Sequence, residues 1–250
     1  RKLFAQARDQ RPSASQLAVA AAEDGRPGPL PRGPGCLPEP ILRYLDAARA
    51  CNPQGGLSIY PGSPLLVAQA LRPQDRLAAC ELQPEEAAAL KDALAGDARV
   101  GVHARDGYEA IRALLPHREG GQKFGRGLVL VDPPYEAQEA EYGRILAALA
   151  EGLQRWPQGM FAVWYPIKKT GEVDRFRDGL AALAIPNILD IRLTTRSATP
   201  EPRLHGCGMA VINPPFVLES EMATLLPHLV ETLGLDASAA ASTVWLAGET

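Results

Sequence analysis

Asp132, Pro133 and Tyr135 lie together in the segment DPPYE, and their chemistry suits a planar amine. The carboxylate of Asp132 can accept one hydrogen bond from an exocyclic NH2 group, and the backbone carbonyl of Pro133 can accept another. The next residue, Pro134, has no N–H group that competes for this carbonyl. The ring of Tyr135 offers a flat face on which a planar group can stack. This segment is therefore the candidate reaction centre.

A short apolar strand is predicted directly before this segment. Residues 128–131 are Leu-Val-Leu-Val, and such a run is typical of a strand buried on both faces, as in the middle of a parallel sheet. The two prolines cannot continue a strand ladder, so the chain must turn there. The carboxyl end of a strand is where open α/β sheets bind ligands. The alternative interpretation is a Pro-Pro turn that Asp132 merely caps.

Glu81 and Asp106 are two further acidic residues that follow predicted strands. An acidic residue at a strand end of a nucleotide-binding sheet commonly accepts hydrogen bonds from ribose hydroxyls, although Glu81 could equally be a solvated carboxylate. Asp106 precedes Gly107 and a predicted helix, so it is an N-cap, an acceptor for an adenine amine, or both. Ser63 stands before a proline and on spacing alone is a helix N-cap.

Basic side chains occur close to the candidate centre in the sequence. The loop 116–126 contains Lys123 and Arg126, and Lys168 and Lys169 follow the next predicted strand, which spans residues 159–165. All four are candidate contacts to RNA phosphates, with a solvated surface loop as the alternative for the first two. The net charge of the chain is −3, so contact with a nucleic acid must be local rather than spread over the whole surface.

A second turn of the same kind occurs at residues 213–216, which read NPPF. Both turns cannot be the reaction centre. Asp132 follows the stronger apolar run and is the third acid in a series with Glu81 and Asp106, whereas Asn213 comes two predicted strands later. We therefore place the reaction centre at Asp132 and expect the NPPF turn to shape the wall of the pocket.

Length and composition are those of an ordinary α/β protein without a membrane span. The chain has 250 residues, of which 46% are hydrophobic, but no run approaches the roughly 18 apolar residues of a span. No secretory signal is visible, and we expect the natural N-terminus to lie upstream of Arg1. The histidines show no metal-ligand spacing. The scattered cysteines indicate reduced thiols of a cytosolic protein; they are Cys36, Cys51, Cys80 and Cys207.

Predicted strands and helices alternate along most of the chain. This alternation predicts an α/β fold with a mostly parallel sheet and helices on both faces. Residues 242–247 are expected to close the sheet as an edge strand. We interpret residues 1–250 as a single domain, in which 1–56 form a linker and a helical insertion and 57–250 form the catalytic sheet and its helices.

Several segments, taken in order, resemble the RlmJ-type 23S rRNA adenine-N6 methyltransferases from about residue 38 to the end. They are YPGSPL, CEL, DGYEA, GLVLVDPPYE, AVWYPIK, GMAVINPP and TVWL. The DPPY segment also resembles the motif [D/N]-P-P-[Y/F/W] of methyltransferases that act on amino nitrogens. The resemblance implies a Rossmann-like methyltransferase fold with a small inserted helical subdomain near the N-terminus. It further implies S-adenosyl-L-methionine as cofactor and an adenine of 23S ribosomal RNA as substrate.

The resemblance also implies roles for individual residues. Asp132 matches the catalytic aspartate, with Pro133 beside it, and Tyr135 matches the stacking aromatic residue. The positions that match cofactor contacts are Ser63, Glu81, Asp106, Gly107 and Asp132. The family's opening segments YRH…HAGN and DTHAGAG are absent from this sequence. They would supply the glycine-rich turn under the methionine half of the cofactor.

Three alternatives stay open at this stage. The motif alone does not separate RNA from DNA, so a DNA adenine-N6 methyltransferase is the nearest one. The NPPF turn also suits a protein-glutamine methyltransferase. The third is a catalytically inactive module that binds cofactor or nucleic acid. For the main interpretation we expect a cytoplasmic monomer, without metal or membrane, that acts on naked or early-assembly 23S rRNA.

Overall fold

The computed structural model describes residues 37–116, 118–119, 122–123, 125–135, 137–199 and 203–247. The predicted linker at residues 1–36 and Cys36 lie outside them. The chain divides into two compact units, the first ending at Asp106 and the second beginning at Gly107. The single-domain interpretation stays a prediction.

The first unit contains three helices and a parallel strand pair within its described residues. They are α1 (Glu39–Ala50), α2 (Ser63–Ala70), β1 (Leu77–Glu81), α3 (Pro84–Ala93) and β2 (Val100–Ala104). Leu77 lies opposite Val100 and Glu81 opposite Ala104. Because the two strands are parallel, Glu81 and the residues after β2 lie at the same carboxyl edge.

Asn52 organises the loop between α1 and α2. Its amide nitrogen donates to the carbonyls of Ala48 and Ile59, both at 2.8 Å. Its amide oxygen accepts from the backbone N–H groups of Ser58 at 2.9 Å and Ile59 at 2.8 Å. These bonds supply the partners that a strand ladder would otherwise provide, and residues 57–60 form no strand.

The second unit contains the remaining elements. They are α4 (Gly107–Leu114), β3 (Arg118–Glu119), β4 (Gln122–Lys123), β5 (Leu128–Val131), α5 (Gln138–Arg155), β6 (Met160–Ile167), α6 (Thr170–Ala182), β7 (Ile188–Thr194), β8 (Gly206–Ile212), α7 (Leu218–Leu233) and β9 (Ala240–Ala247). The loop that the sequence predicts before β5 carries the short antiparallel hairpin β3–β4. None of the helices in the described residues combines the length and the apolar composition needed to cross a bilayer.

The main sheet has five strands in the order β5-β6-β8-β7-β9. Only β5 and β6 are parallel neighbours, whereas β8 is antiparallel to both β6 and β7, and β9 is antiparallel to β7. The prediction of a mostly parallel sheet therefore holds only in part. Strands β6 and β7 are parallel to each other and joined by α6, as the alternation predicts. The connection from β7 to β8 contains no helix among its described residues, and β8 returns between them in the opposite direction.

Helices cover both faces of this sheet, as predicted. On one face, α5 and α6 bury Ile145, Leu149 and Phe176 against β6 and β8. On the other face, Leu226 of α7 packs in a second cluster with Leu189 and other residues of the sheet. The predicted last strand is confirmed as β9 at the edge.

Strand β5 lies at the opposite edge of the sheet, and the prediction that it is buried on both faces is wrong. Among the described residues it pairs with β6 alone. Val129 and Val131 belong to the core beneath α5, but Leu128 is 55% exposed and Leu130 is 39% exposed. The physical reason is that α7 packs mainly on β7 and β9, away from this edge.

A buried ionic group, which the sequence analysis did not find, lies under α6. Asp190 of β7 is 0% exposed. It accepts hydrogen bonds from Tyr165 Oη at 2.5 Å and Arg177 Nε at 2.8 Å, and Arg192 Nε lies 3.6 Å away. Burial, followed by the negative charge of Asp190, raises the pKa of Tyr165 and keeps its hydroxyl protonated. A buried carboxylate needs such partners to offset the loss of hydration.

Gly208 makes this arrangement possible. Tyr165 is on β6 and Asp190 is on β7, so the tyrosine ring must lie across the intervening strand β8. Gly208 pairs with Tyr165 in the sheet. A Cβ atom at position 208 would lie 2.0 Å from Tyr165 Cζ. A residue without a side chain is therefore required beneath the ring.

Candidate active site

Asp132 directly follows the last residue of β5, at the carboxyl end that parallel-sheet enzymes use for ligands. Its side chain is exposed and forms no hydrogen bond or ion pair within the described part of the chain. Although water reaches the carboxylate, the surrounding protein partly desolvates it and thereby raises the pKa of Asp132. The result is a carboxylate that is free to accept hydrogen bonds from a ligand.

Tyr135 anchors the Asp-Pro-Pro-Tyr turn to β6. Its hydroxyl donates to the carbonyl oxygen of Trp164, and Lys168 Nζ donates to the carbonyl oxygen of Tyr135 at 3.3 Å. The ring is tilted against Tyr142 and Trp164, at centroid distances of 5.9 and 5.7 Å. Burial raises the pKa of the Tyr135 hydroxyl, which keeps it a hydrogen-bond donor.

The predicted stacking role of Tyr135 stays a prediction, and its exposure limits how stacking can occur. Only 7% of the residue is exposed. The part that remains accessible lines a cavity beside the turn. A base could therefore contact the margin of the ring, while most of its surface is committed to the protein core.

The last part of β6 has an unpaired edge, to which side chains of the turn can form hydrogen bonds. Val131, the last residue of β5, lies opposite Val163, and β6 continues to Ile167. Beyond Val163 the edge of β6 towards β5 has no strand partner within the described residues. Its backbone carbonyls are therefore available to side chains, and Trp164 accepts the Tyr135 hydroxyl in this way.

Pro166 lies inside β6, although the sequence predicts that the strand ends at Tyr165. Its carbonyl faces the same open edge and accepts hydrogen bonds from Gln138 Nε2 and Tyr142 Oη, both at 3.4 Å. A proline is tolerated in a strand where its missing N–H group would face an unpaired edge. The predicted strand end is wrong for this reason.

The cavity beside the turn has a volume of about 750 Å³. Its lining residues come from the turn, the first turn of α5, the end of β6 and the start of α6. They are Tyr135, Ala137, Gln138, Glu139, Ala140, Lys168, Lys169 and Glu172. Sequence reasoning identified the two lysines but missed Gln138, which only its position at the start of a helix next to the turn could have indicated.

Glu141 is a second buried acid near the turn that sequence reasoning missed. It is 9% exposed and accepts a hydrogen bond from Tyr108 Oη at 2.7 Å. Arg144 lies 4.5 Å above the ring of Tyr108 and 3.3 Å from the Glu141 carboxylate. This cluster packs α4 against α5 and supports the base of the site.

Glu81 and Asp106, two of the residues predicted to hold a cofactor, lie in the first unit, and their role stays a prediction. Glu81 ends β1 and Asp106 follows β2, so both lie at the carboxyl edge of the strand pair. Glu81 Oε1 accepts from the backbone N–H of Gln83 at 2.9 Å. Two acidic side chains at adjacent strand ends are suited to the hydroxyls and the amine of an adenosine.

Ser63 is not a helix N-cap, so that interpretation is wrong. It is the first residue of α2, and Gly62 is the N-cap without a side-chain hydrogen bond. Because Pro64 already suits the first turn, the backbone needs no cap from Ser63. Its hydroxyl has no hydrogen-bond partner among the described residues. Gly107 begins α4 of the second unit.

The structure brings only two of the four predicted phosphate contacts to the carboxyl end of the second unit's sheet. Lys168 and Lys169 directly follow β6 and line the cavity. Arg126 is exposed but precedes β5, so it lies at the opposite end of that strand from Asp132. The side chain of Lys123 lies outside the described part of the chain.

Asn213 and the NPPF turn lie at the far end of the sheet from Asp132, so the expectation that they shape the pocket wall is wrong. Strand β8 is antiparallel to β6, and Ile212 therefore lies opposite Phe161 at the beginning of β6. The amide nitrogen of Asn213 donates to the carbonyls of Pro157 and Gly159, both at 2.9 Å. The Asn213 amide therefore holds the loop between α5 and β6.

The α/β fold and an anchored Asp-Pro-Pro-Tyr turn at a strand end define a methyltransferase of the kind that modifies amino nitrogens. Comparison with known families makes the assignment specific. The chain belongs to the family described as ribosomal RNA large subunit methyltransferase D, RlmJ, whose family model matches residues 34–247.

Two relatives of known name support the same family assignment. The chain is 37% identical over 214 residues to ribosomal RNA large subunit methyltransferase J of Haemophilus influenzae. It is 34% identical over 213 residues to the protein of the same name from Escherichia coli. Each match covers 85% of this chain and 74% of the relative. A solved structure from Legionella pneumophila, assigned to the family DUF519, shares 31% identity with a TM-score of 0.76 over 84% of this chain and 75% of its own.

Proposed function

We propose that this protein transfers the methyl group of S-adenosyl-L-methionine to the N6 amine of an adenine in 23S ribosomal RNA. The relatives named as large-subunit ribosomal RNA methyltransferases support ribosomal RNA as the substrate. The observation that carries the proposal is the Asp132 carboxylate, which is free of partners within the described residues and stands on a turn anchored to β6. Such a group is placed to receive an amine from outside the protein.

The turn holds the amine for direct in-line transfer. Asp132 accepts one N–H of the adenine amine, and the carbonyl of Pro133 accepts the other. S-adenosyl-L-methionine supplies an electrophilic methyl group bonded to a positively charged sulfur. On transfer, the amine nitrogen would bond to this methyl group as the methyl group leaves the sulfur, and the nitrogen would lose one proton to Asp132 or to water. Positioning by a rigid turn accounts for most of the rate enhancement.

Two sets of residues take part in binding, one for the cofactor and one for the RNA. Ser63, Glu81 and the Asp106-Gly107 pair hold the cofactor, with the two carboxylates accepting from ribose hydroxyls and the adenine amine. Lys168 and Lys169 contact phosphates of the RNA. The target base must be single-stranded or flipped out of its helix to reach Asp132. A cytoplasmic monomer that acts on naked or early-assembly 23S rRNA fits this proposal.

The decisive experiment measures methyl incorporation from labelled S-adenosyl-L-methionine into protein-free 23S rRNA, assembled large subunits and duplex DNA. Asp132→Ala should lower incorporation about 10³-fold or more, because positioning and proton acceptance are both lost. Binding of S-adenosylhomocysteine, measured by calorimetry, should change little. The matched control is Asp178→Ala, which removes an exposed carboxylate of α6.

Three results would contradict the proposal. Retained turnover in Asp132→Ala would remove Asp132 from the reaction. Preference for duplex DNA over 23S rRNA would instead make the protein a DNA adenine methyltransferase, and binding of S-adenosylhomocysteine without turnover on any substrate would make it an inactive binding module.

A further inference from the structure

The cavity of about 750 Å³ beside the turn has features that methyl transfer at Asp132 does not require. Its volume lies within the range of about 300–1,000 Å³ that is usual for small-molecule sites. It opens next to Tyr135, the last residue of the turn. A ligand in this cavity would therefore be an immediate neighbour of a base held at Asp132.

Two helices direct their N-termini towards this cavity. Helix α5 has Ala137 as its N-cap and α6 has Lys169, and neither helix receives a side-chain cap hydrogen bond. These helices have 18 and 13 residues. The first N–H groups of a helix have no partner within it and attract anions, especially phosphate.

The charges that line the cavity leave one cation available. Glu139 is paired with Arg175 at 2.8 Å, and Glu172 is paired with Lys169 at 2.9 Å. Lys168 has no carboxylate partner in the described ranges, and its Nζ contacts only the carbonyl oxygen of Tyr135 at 3.3 Å. An anion that enters the cavity would therefore meet the Lys168 ammonium group without displacing an existing ion pair.

Gln138 is an independent indication of a ligand. It lines the cavity and is 7% exposed. Its amide nitrogen donates to Tyr142 Oη at 2.8 Å and to the carbonyl of Pro166 at 3.4 Å. Its amide oxygen is buried and has no hydrogen-bond partner among the described residues. Buried acceptors are almost always paired, so this oxygen, unpaired among the described residues, is suited to a donor group from a ligand.

We propose that this cavity is a second nucleotide subsite, which binds the nucleotide adjacent to the target adenine. Lys168 and the two helix N-termini hold its phosphate, and Gln138 Oε1 accepts a hydrogen bond from its base or from its ribose hydroxyl. The phosphate contact fixes the register of the RNA, while the contact of Gln138 contributes to the choice of target. This inference rests on the proposed function, because it assumes that the strand at Asp132 is RNA.

The test uses Gln138→Leu and Lys168→Met, with Lys168→Arg as the conservative variant. Gln154→Leu, at an exposed position of α5, and Lys91→Met, at an exposed position of α3, are the matched controls. Substrates are short RNAs that contain the target adenine. In one series each neighbouring nucleotide is made abasic or 2′-deoxy in turn, and in the other each neighbouring phosphate is replaced by an uncharged methylphosphonate.

We expect Gln138→Leu and Lys168→Met each to raise KM for RNA about tenfold, since each loses one specific polar contact. Lys168→Arg should restore most of the affinity, and the two controls should behave like the unsubstituted protein. One abasic or deoxy position should weaken the unsubstituted protein but have no further effect on Gln138→Leu. One methylphosphonate should likewise have no further effect on Lys168→Met. If Gln138 and Lys168 had only structural roles, neither variant would be insensitive to one particular RNA modification.

Unchanged KM in both variants, or equal sensitivity of variants and unsubstituted protein to every RNA modification, would overturn the inference while leaving the proposed function intact. If the unsubstituted protein methylates no RNA, the proposed function fails separately. The subsite is then tested by calorimetry with the dinucleotide ApA as probe. Binding that Gln138→Leu and Lys168→Met both weaken supports the subsite, and absent or unaffected binding overturns it.

Discussion

Replacing Tyr135 by phenylalanine separates two roles of this residue. The substitution keeps an aromatic ring, so any stacking on a base survives. It removes the hydroxyl that donates to the Trp164 carbonyl. Only the anchor between the turn and β6 is lost. The ring is 7% exposed, so water has little access to replace the missing donor.

The expected cost follows from this burial. Losing one hydrogen bond between neutral groups costs about 1 kcal/mol, and leaving a buried carbonyl without a donor adds roughly another 1 kcal/mol or more. The free energy of unfolding should therefore fall by about 2 kcal/mol. The turn keeps its second tether at Lys168, so we expect kcat to fall about tenfold rather than to vanish, because a small displacement of the reacting group is costly.

Tryptophan fluorescence during urea unfolding is the appropriate assay. The chain has three tryptophans, at positions 156, 164 and 245, and all of them belong to the second unit. The signal therefore reports the unit that contains the substitution. Ser220→Ala in the second unit is the control, because it removes an exposed hydroxyl that donates to the Val217 carbonyl at 2.9 Å, and surface changes usually cost less than about 0.5 kcal/mol.

An unchanged unfolding midpoint together with kcat within twofold of the unsubstituted protein would refute this reasoning. The hydroxyl would then contribute nothing measurable, and Tyr135 would act through its ring alone. Reduced stability with unchanged kcat would show that the anchor holds the fold but does not position the amine.

Two further predictions concern acid–base behaviour and packing. Because desolvation raises the pKa of Asp132, kcat should fall on acidification at a pH where an ordinary aspartate is still ionised, and Asp132→Asn should abolish this acidic limb in a kcat-against-pH profile. The folded pKa lies above the unfolded one, so ionisation opposes folding; Asp132→Asn should raise Tm at neutral pH, and this gain should disappear at a pH where the carboxyl is protonated in both states. Gly208→Ala should lower the free energy of unfolding by about 4 kcal/mol. The added methyl group overpacks against Tyr165, and the displaced Tyr165 hydroxyl loses its hydrogen bond to Asp190. In urea unfolding, the double variant with Tyr165→Leu should lose less stability than the sum of the single variants, and strict additivity would contradict the packing argument.

The positions of most strands and helices can be predicted because they depend on local patterns. The apolar spacing of α5 and the Pro-Pro stop after β5 are both visible in the sequence, and the structure confirms these elements. The neighbours of a strand are a different matter. Four aliphatic residues predict burial of β5, but the exposure of Leu128 and Leu130 depends on which strands α7 covers. The direction of β8 depends on tertiary pairing in the same way.

The candidate site shows the same division. Asp132, Lys168 and Lys169 could be found because the residue types and the strand ends are explicit in the sequence. Gln138 was missed, because its position beside the turn is a weak signal and its unpaired oxygen is visible only in coordinates. Asn213 also matches the motif, yet its amide nitrogen already donates to two backbone carbonyls. A motif specifies residue types but not whether their polar groups are already occupied.

The ring that crosses β8 has an evolutionary consequence. Tyr165, Asp190 and Gly208 lie on three different strands but depend on one another, because the ring needs both the empty place at 208 and the carboxylate at 190. A lineage that acquires a side chain at position 208 must first shorten residue 165, and the carboxylate at 190 then loses a partner. These three positions should therefore change together among homologous sequences. Sequences that retain only two of the three residues should be rare.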